Sequence, residues 1–143
     1  MEPYRENLLE GDPFVKKRQV EGRLAVILDG KLQDRQLHLI QPISRAVKKG
    51  EIHELIITDD ELAAPGRVVN SIAYLGFFEV EVAGVLVSGD NFRVEGDVIG
   101  KIAGFDLTHA PNHLNIILYR KELISGKELG LELEMKITAG QLT

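Results

Sequence analysis

The chain has 143 residues, the size of one ordinary domain and enough to bury a core without staples. It has no cysteine, which excludes disulfides, thiolate metal sites and cysteine nucleophiles. The net charge of -5, with Lys and Arg scattered among the acids, lacks the basic footprint of a nucleic-acid binder, so no nucleic acid is expected as a partner. No apolar run approaches membrane-spanning length, and MEPYRENLLEGDPF lacks a basic segment followed by an apolar one. The expectation is a cytoplasmic protein without a membrane partner.

Residues 1–18 hold Pro3, Gly11, Pro13 and the basic run Lys16, Lys17, Arg18, and predict an irregular arm that docks through Leu8, Leu9 and Phe14. Residues 19–143 are read as one domain. Residues 22–41 predict a hairpin: RLAVIL is an apolar run, Leu32, Leu37 and Leu39 alternate further on, and Asp29-Gly30 suits a type I′ turn. Residues 43–49 predict a short helix, with Ser44 as cap, Lys48 and Lys49 at its C-terminal end and Gly50 just past it. EIHELIIT, residues 51–58, reads as a strand. Thr58 and Glu61 have capping-box spacing for one helical turn, which Pro65-Gly66 would stop. Residues 68–74 fit either a helical face or a buried strand; the β-branched and aromatic run that follows, FFEVEVAGVLV, favours strand. Gly76 and Gly84 then mark bulges or bends.

Further on, Ser88-Gly89-Asp90-Asn91 is a turn, FRVEG a short strand and Gly96-Asp97 another turn. Residues 98–105 predict a strand kinked at Gly100 and Gly104, and residues 113–119 another. Residues 121–130 form a connection with a helical turn. LELEMKIT, residues 131–138, alternates as a half-buried strand. Many short strands with close turns and bend glycines predict an all-β fold, a small closed or partly open β-barrel with one or two short helices.

The densest set of chemically able side chains lies between two such strands, in IGKIAGFDLTHAPNHLNIILY: Asp106, Thr108, His109, Asn112, His113 and Asn115. Two of the four histidines fall here, and Pro111 between them argues against a helix carrying both. Three readings compete. In the first, Asp106, His109 and His113 bind a divalent metal such as zinc, with His38 or Glu122 as a distant further ligand. In the second, Asp106, Thr108 and Asn112 hydrogen-bond nearby backbone and fix the loop, and the histidines are satisfied rim residues. In the third, Thr108, His109, Asn112 and His113 donate to a small anionic or polar ligand against an apolar wall. A catalytic version of the third makes either histidine a general base oriented by Asp106. No nucleophile partner is evident, since Ser44, Ser71, Ser88 and Ser125 lie in no recognisable setting. The acidic run Asp59, Asp60, Glu61 reads as a solvated turn, and Gly89-Asp90 as a turn rather than a phosphate loop.

The run AGVLVSGDNFRVEGDVIGKIAGFD, continued by NHLNIIL, resembles the sorbitol-specific IIA component of the bacterial sugar phosphotransferase system over residues 83–118. Gly89-Asp90, the strand from Ile99 to Ala103, and Asn112-His113-Leu114-Asn115 stand where that family has a Gly-Asp turn, a V-G-x-V-A-like strand and Gly-His-x-Thr. The resemblance implies a β-barrel. It does not imply phosphotransfer, because residues 77–86 lack the histidine that accepts the phosphoryl group in that family. GFDLTHAPNHLNI is also similar to a segment of small uncharacterised bacterial proteins, which implies no activity.

The functional expectation is a ligand-binding or accessory protein with a polar site in the loop 105–115. The alternatives are a metal-dependent lyase, isomerase or hydrolase using Asp106, His109 and His113, and a structural subunit of a larger complex. A small molecule is the expected partner. Apolar runs and open strand edges predict a homo-oligomer of cyclic symmetry.

Overall fold

A computed structural model describes residues 13–141. The expected docking of Leu8 and Leu9 falls outside them. The described part of the arm is pinned to the body: Lys17 Nζ lies 2.6 Å from Asp90 Oδ2, both side chains nearly buried, and Arg18 Nε donates to the Ala83 carbonyl.

The fold is all-β, as expected. Twelve strands occur among the described residues: β1 (Val20–Ile27), β2 (Lys31–Leu32), β3 (Leu37–His38), β4 (Ser44–Val47), β5 (Ile52–Thr58), β6 (Val68–Val69), β7 (Ile72–Val82), β8 (Gly84–Val87), β9 (Asn91–Val94), β10 (Asp97–Asp106), β11 (Asn115–Tyr119) and β12 (Lys136–Gly140). One short helix, α1 (Gly126–Leu129), joins β11 to β12. The main sheet runs β1-β12-β9-β10-β11-β5-β7 and then returns, because β7 also pairs with β1. Seven strands thus form a closed ring. The β11–β5 pair is parallel, with Asn115 opposite Glu54, while the other described pairs are antiparallel.

Period-2 alternation divides the apolar residues between two faces of this ring. Leu24, Leu55, Ile57, Phe78, Phe92, Phe105, Ile116 and Leu118 belong to the larger core cluster, inside the ring. Their neighbours Ile56, Ala103 and Ile117 face outward and pack with Leu37, Leu39, Val69 and Ile72 in a second cluster. The small β3–β6 pair contributes Leu37 and Val69 to that outer layer. Burying each large apolar side chain is worth about 1.5–3 kcal/mol, so both faces of this wall stabilise the fold.

The bend glycines behave as the sequence suggests. Register shifts fall at Val98/Gly100 and Ile102/Gly104 in β10, and at Leu55/Ile56 opposite Gly76. A Cβ at Gly76 would collide with the Val26 carbonyl, so the close approach of β1 to β7 requires glycine there.

Four local expectations are corrected. Asp29-Gly30 does take a positive φ at Gly30, but it makes no hairpin. β1 and β2 both pair with β7 in one antiparallel direction, Ile27 opposite Gly76 and Lys31 opposite Ala73. The dipeptide therefore interrupts one long edge alongside β7. Residues 44–47 are strand, not helix, because β4 finds a partner in β8 and buries Val47; tertiary pairing overrides a weak local propensity. Lys49 and Gly50 form the turn after it, with Glu51 N–H donating to the Lys48 carbonyl. Thr58 starts no capping box: its hydroxyl donates to the Ser71 carbonyl, and Asp60 caps its own turn through Leu62 N–H. Finally, residues 131–135 are irregular and β12 begins at Lys136.

Candidate functional site

The expected loop lies between β10 and β11, and the polar residues around it fall into two clusters. Aligned partners across four strands make a row: Asp106 opposite Asn115, Asn115 opposite Glu54, Glu54 opposite Phe77. Alternation places this row on the outward face of the ring, continuing the line of Ile56 and Ile117.

At one end of the row Asp106 is 3% exposed and fully engaged. Its Oδ2 accepts from His38 N–H on β3 at 3.2 Å. Its Oδ1 accepts from Thr108 N–H at 2.9 Å and from Asn115 Nδ2 at 3.0 Å. Asp106 thus ties the outer layer, the start of the loop and β11 together. Thr108 contributes its backbone, and its side chain is exposed. The structure does not bring Asp106 together with the histidines, and neither distant candidate joins them. His38 offers its backbone to Asp106, and Glu122 is an exposed partner of Arg120.

The second cluster is built on the loop's own turn. The His109 carbonyl accepts from Asn112 N–H at 2.9 Å and His113 N–H at 3.3 Å, and Pro111 sits inside this turn without owing a hydrogen bond. The result is one compact turn rather than an extended segment. It stacks the two imidazoles at 4.9 Å between centroids and 29° between planes. Their third companion comes from β5: His113 Nε2 lies 3.2 Å from Glu54 Oε1, a carboxylate only 7% exposed. One ligand atom from each of Glu54, His109 and His113 lies within 4.8 Å of the others. Ligands around one ion at about 2.0–2.2 Å lie somewhat closer than this. His109, the exposed member of the three, would have to move inward to close the difference.

Neighbouring groups orient His113. Phe77 packs edge-on against its ring at 5.1 Å. Asn112 Nδ2 lies 2.8 Å from Nδ1, so Nδ1 accepts and Nε2–H donates to Glu54. Were a metal held at Nε2, the ring proton would reside on Nδ1, and the Asn112 amide could present its oxygen to it. Such an outer partner fixes ring orientation and tautomer.

His53 is near but differently used. Its Nδ1 accepts from Leu114 N–H at 3.0 Å and its Nε2 faces Glu51 Oε1 at 3.1 Å, so both nitrogens are committed. Glu51 is held below its ordinary carboxylate range, first by Lys48 N–H and then by His53. His113 stands at a rim between two pockets. One, of about 240 Å³, is lined by Arg45, Glu51, His53, Leu107, Pro111 and Leu114 among others. The other, more open, lies toward Ile52, Phe77 and Asn112.

The sequence reading missed Glu54. The signal was present: alternation in EIHELIIT puts Glu54 on the same face as Ile52 and Ile56, and a carboxylate in the middle of a buried strand needs a partner.

The fold and the site define an all-β protein carrying a buried carboxylate and two stacked imidazoles at the rim of a strand ring. By sequence, the chain belongs to a family of unknown function, DUF6917, whose model matches residues 14–140. No curated protein and no solved structure matches it. Among the described residues no helix is long and apolar enough to cross a membrane.

Proposed function

We propose that this protein binds a divalent transition-metal ion of the zinc type through Glu54, His109 and His113, and uses the open coordination positions to hold a small ligand. One observation carries the reading: three ligand atoms of the right chemistry converge within 4.8 Å from two separate elements. Two imidazoles and a carboxylate suit Zn, Fe, Mn or Ni, and a three-residue set leaves at least one position for water or a ligand. The buried Glu54 supports it further, because a carboxylate paired with one imidazole in a largely apolar wall gains most from a cation. The expected metal set is thereby revised, with Glu54 in the place of Asp106.

The same open position favours a second reading, a metal-dependent lyase, isomerase or hydrolase. The ion would act there as a Lewis acid or lower the pKa of a bound water. The chain's own contribution to such chemistry would be orientation, since both nitrogens of His53 are already engaged.

Isothermal titration with zinc, on protein produced without an affinity tag and stripped by chelator, tests the proposal. One-site binding that is weakened by each of Glu54→Gln, His109→Ala and His113→Ala is expected. Binding that none of the three weakens would overturn it.

A further inference from the structure

We propose that the ligand received at this metal site is a small carboxylate whose charged end is held by Arg45. The inference rests on the metal-binding reading above. The pocket of about 240 Å³ beside His113 has one polar side chain with nothing to hold. Glu51 is engaged by Lys48 N–H and His53, His53 by Leu114 N–H and Glu51, and His113 by Asn112 and Glu54. The Arg45 side chain is exposed at the mouth of this pocket, and it has no hydrogen bond or ion pair among the described residues. Its backbone is nevertheless fixed, because β4 is paired with β8 and Arg45 lies opposite Leu86.

Charge and shape narrow the ligand class. Glu54 and Glu51 offset a doubly charged ion, and Arg45 then leaves a single net positive charge, which a monoanion neutralises. A guanidinium presents a planar fork that matches a carboxylate in a two-bonded pair. Leu107, Ala110, Pro111 and Leu114 supply an apolar wall between the two ends. A pocket of about 240 Å³ that opens to solvent has room for a short-chain acid rather than a large ligand. A second oxygen donor on that acid, a hydroxyl or carbonyl, is the group that reaches the metal.

Cobalt(II)-loaded protein gives a direct readout, since a ligand entering the coordination sphere changes the visible spectrum. The probes are lactate, its uncharged analogue lactamide, and inorganic phosphate. Lactate is expected to produce a saturable change that lactamide does not. Arg45→Gln should weaken lactate by about threefold to fivefold, the worth of a solvent-screened charge pair, while cobalt affinity stays unchanged. Arg45→Lys should keep part of the effect, having the charge without the fork. Equal binding of lactamide, tighter binding of phosphate, or an Arg45→Gln variant indistinguishable from the parent overturns the proposal. Absence of any cobalt spectrum in the parent protein is a separate failure: it removes the metal reading before lactate is added, and the carboxylate proposal falls with it.

Discussion

Two polar clusters lie on one row of this wall and differ in what they leave unfinished. Asp106 receives three N–H groups, and both of its oxygens are engaged. Glu54 has one imidazole partner, His113, and Oε2 takes no hydrogen bond among the described residues. Both carboxylates are buried, so burial alone does not separate structure from function. The difference lies in the partners. Backbone donors fix a carboxylate in place for the fold, whereas imidazoles are themselves ligands and can share it with an ion. On the metal-binding reading, the buried acid nearest to the histidines in sequence is the structural one.

The largest expected effect breaks the closed cluster. Asp106→Ala leaves His38 N–H, Thr108 N–H and the Asn115 amide without their acceptor, and should destabilise the protein by about 3 kcal/mol or more. Urea unfolding measures this. Asp106→Asn should cost less and leave zinc affinity close to that of the parent. A stable Asp106→Asn protein that no longer binds zinc would reverse the roles of the two clusters.

The second effect has the opposite signature. Glu54→Gln should lower zinc affinity by about a hundredfold, because the side chain keeps its shape but loses its anionic ligand oxygen. Its metal-free stability should change by less than about 1 kcal/mol, since the amide keeps the shape and an acceptor oxygen for the His113 ring and removes a buried charge with one partner among the described residues. Paired calorimetric titration and urea unfolding on this variant sharpen the contrast with Asp106.

A smaller effect probes orientation. Asn112→Leu removes the group that faces His113 Nδ1 and should weaken zinc binding by about tenfold, the usual scale for an outer partner. Asn112→Asp should retain or improve binding, because a carboxylate accepts from Nδ1–H. Identical affinities for the two variants would mean that Phe77 and the turn suffice to hold the ring.

Far from both clusters, Ser125→Ala should cost about 1 kcal/mol through loss of the α1 cap. Ser125 also donates its hydroxyl to Asp29, the leading cause holding that carboxylate below its ordinary value, whereas the backbone N–H that does the same for Glu128 survives the substitution. Groups lowered in the folded state contribute stability above their unfolded values that is lost as pH falls through the folded ones. The variant should therefore lose less stability than the parent on acidification below the usual carboxylate range. Equal acid slopes would remove Ser125 from that linkage.

Much of this molecule is legible in its sequence, and the failures share a cause. Alternation in IGKIAGF, the bend glycines 100 and 104, and the Gly-Asp turns locate β9 and β10, because those features act within a few residues. Residues 44–47 and the Asp29-Gly30 dipeptide mislead because their conformations are set by β8 and β7, strands tens of residues away. The site shows the same limit. His109 and His113 are visible as a pair, and Asn112 with them, but Glu54 is 59 residues from His113 in sequence and meets it only through the parallel β5–β11 pairing.

The central claim is that Glu54, and not Asp106, completes the ligand set of His109 and His113. A cobalt(II) titration followed by visible absorption, run side by side on the parent, Glu54→Gln and Asp106→Asn proteins, tests it most directly. The predicted result is a saturable spectrum of similar shape and affinity in the parent and Asp106→Asn, and its loss or strong weakening in Glu54→Gln. A full spectrum in Glu54→Gln together with its loss in a folded Asp106→Asn protein would contradict the claim.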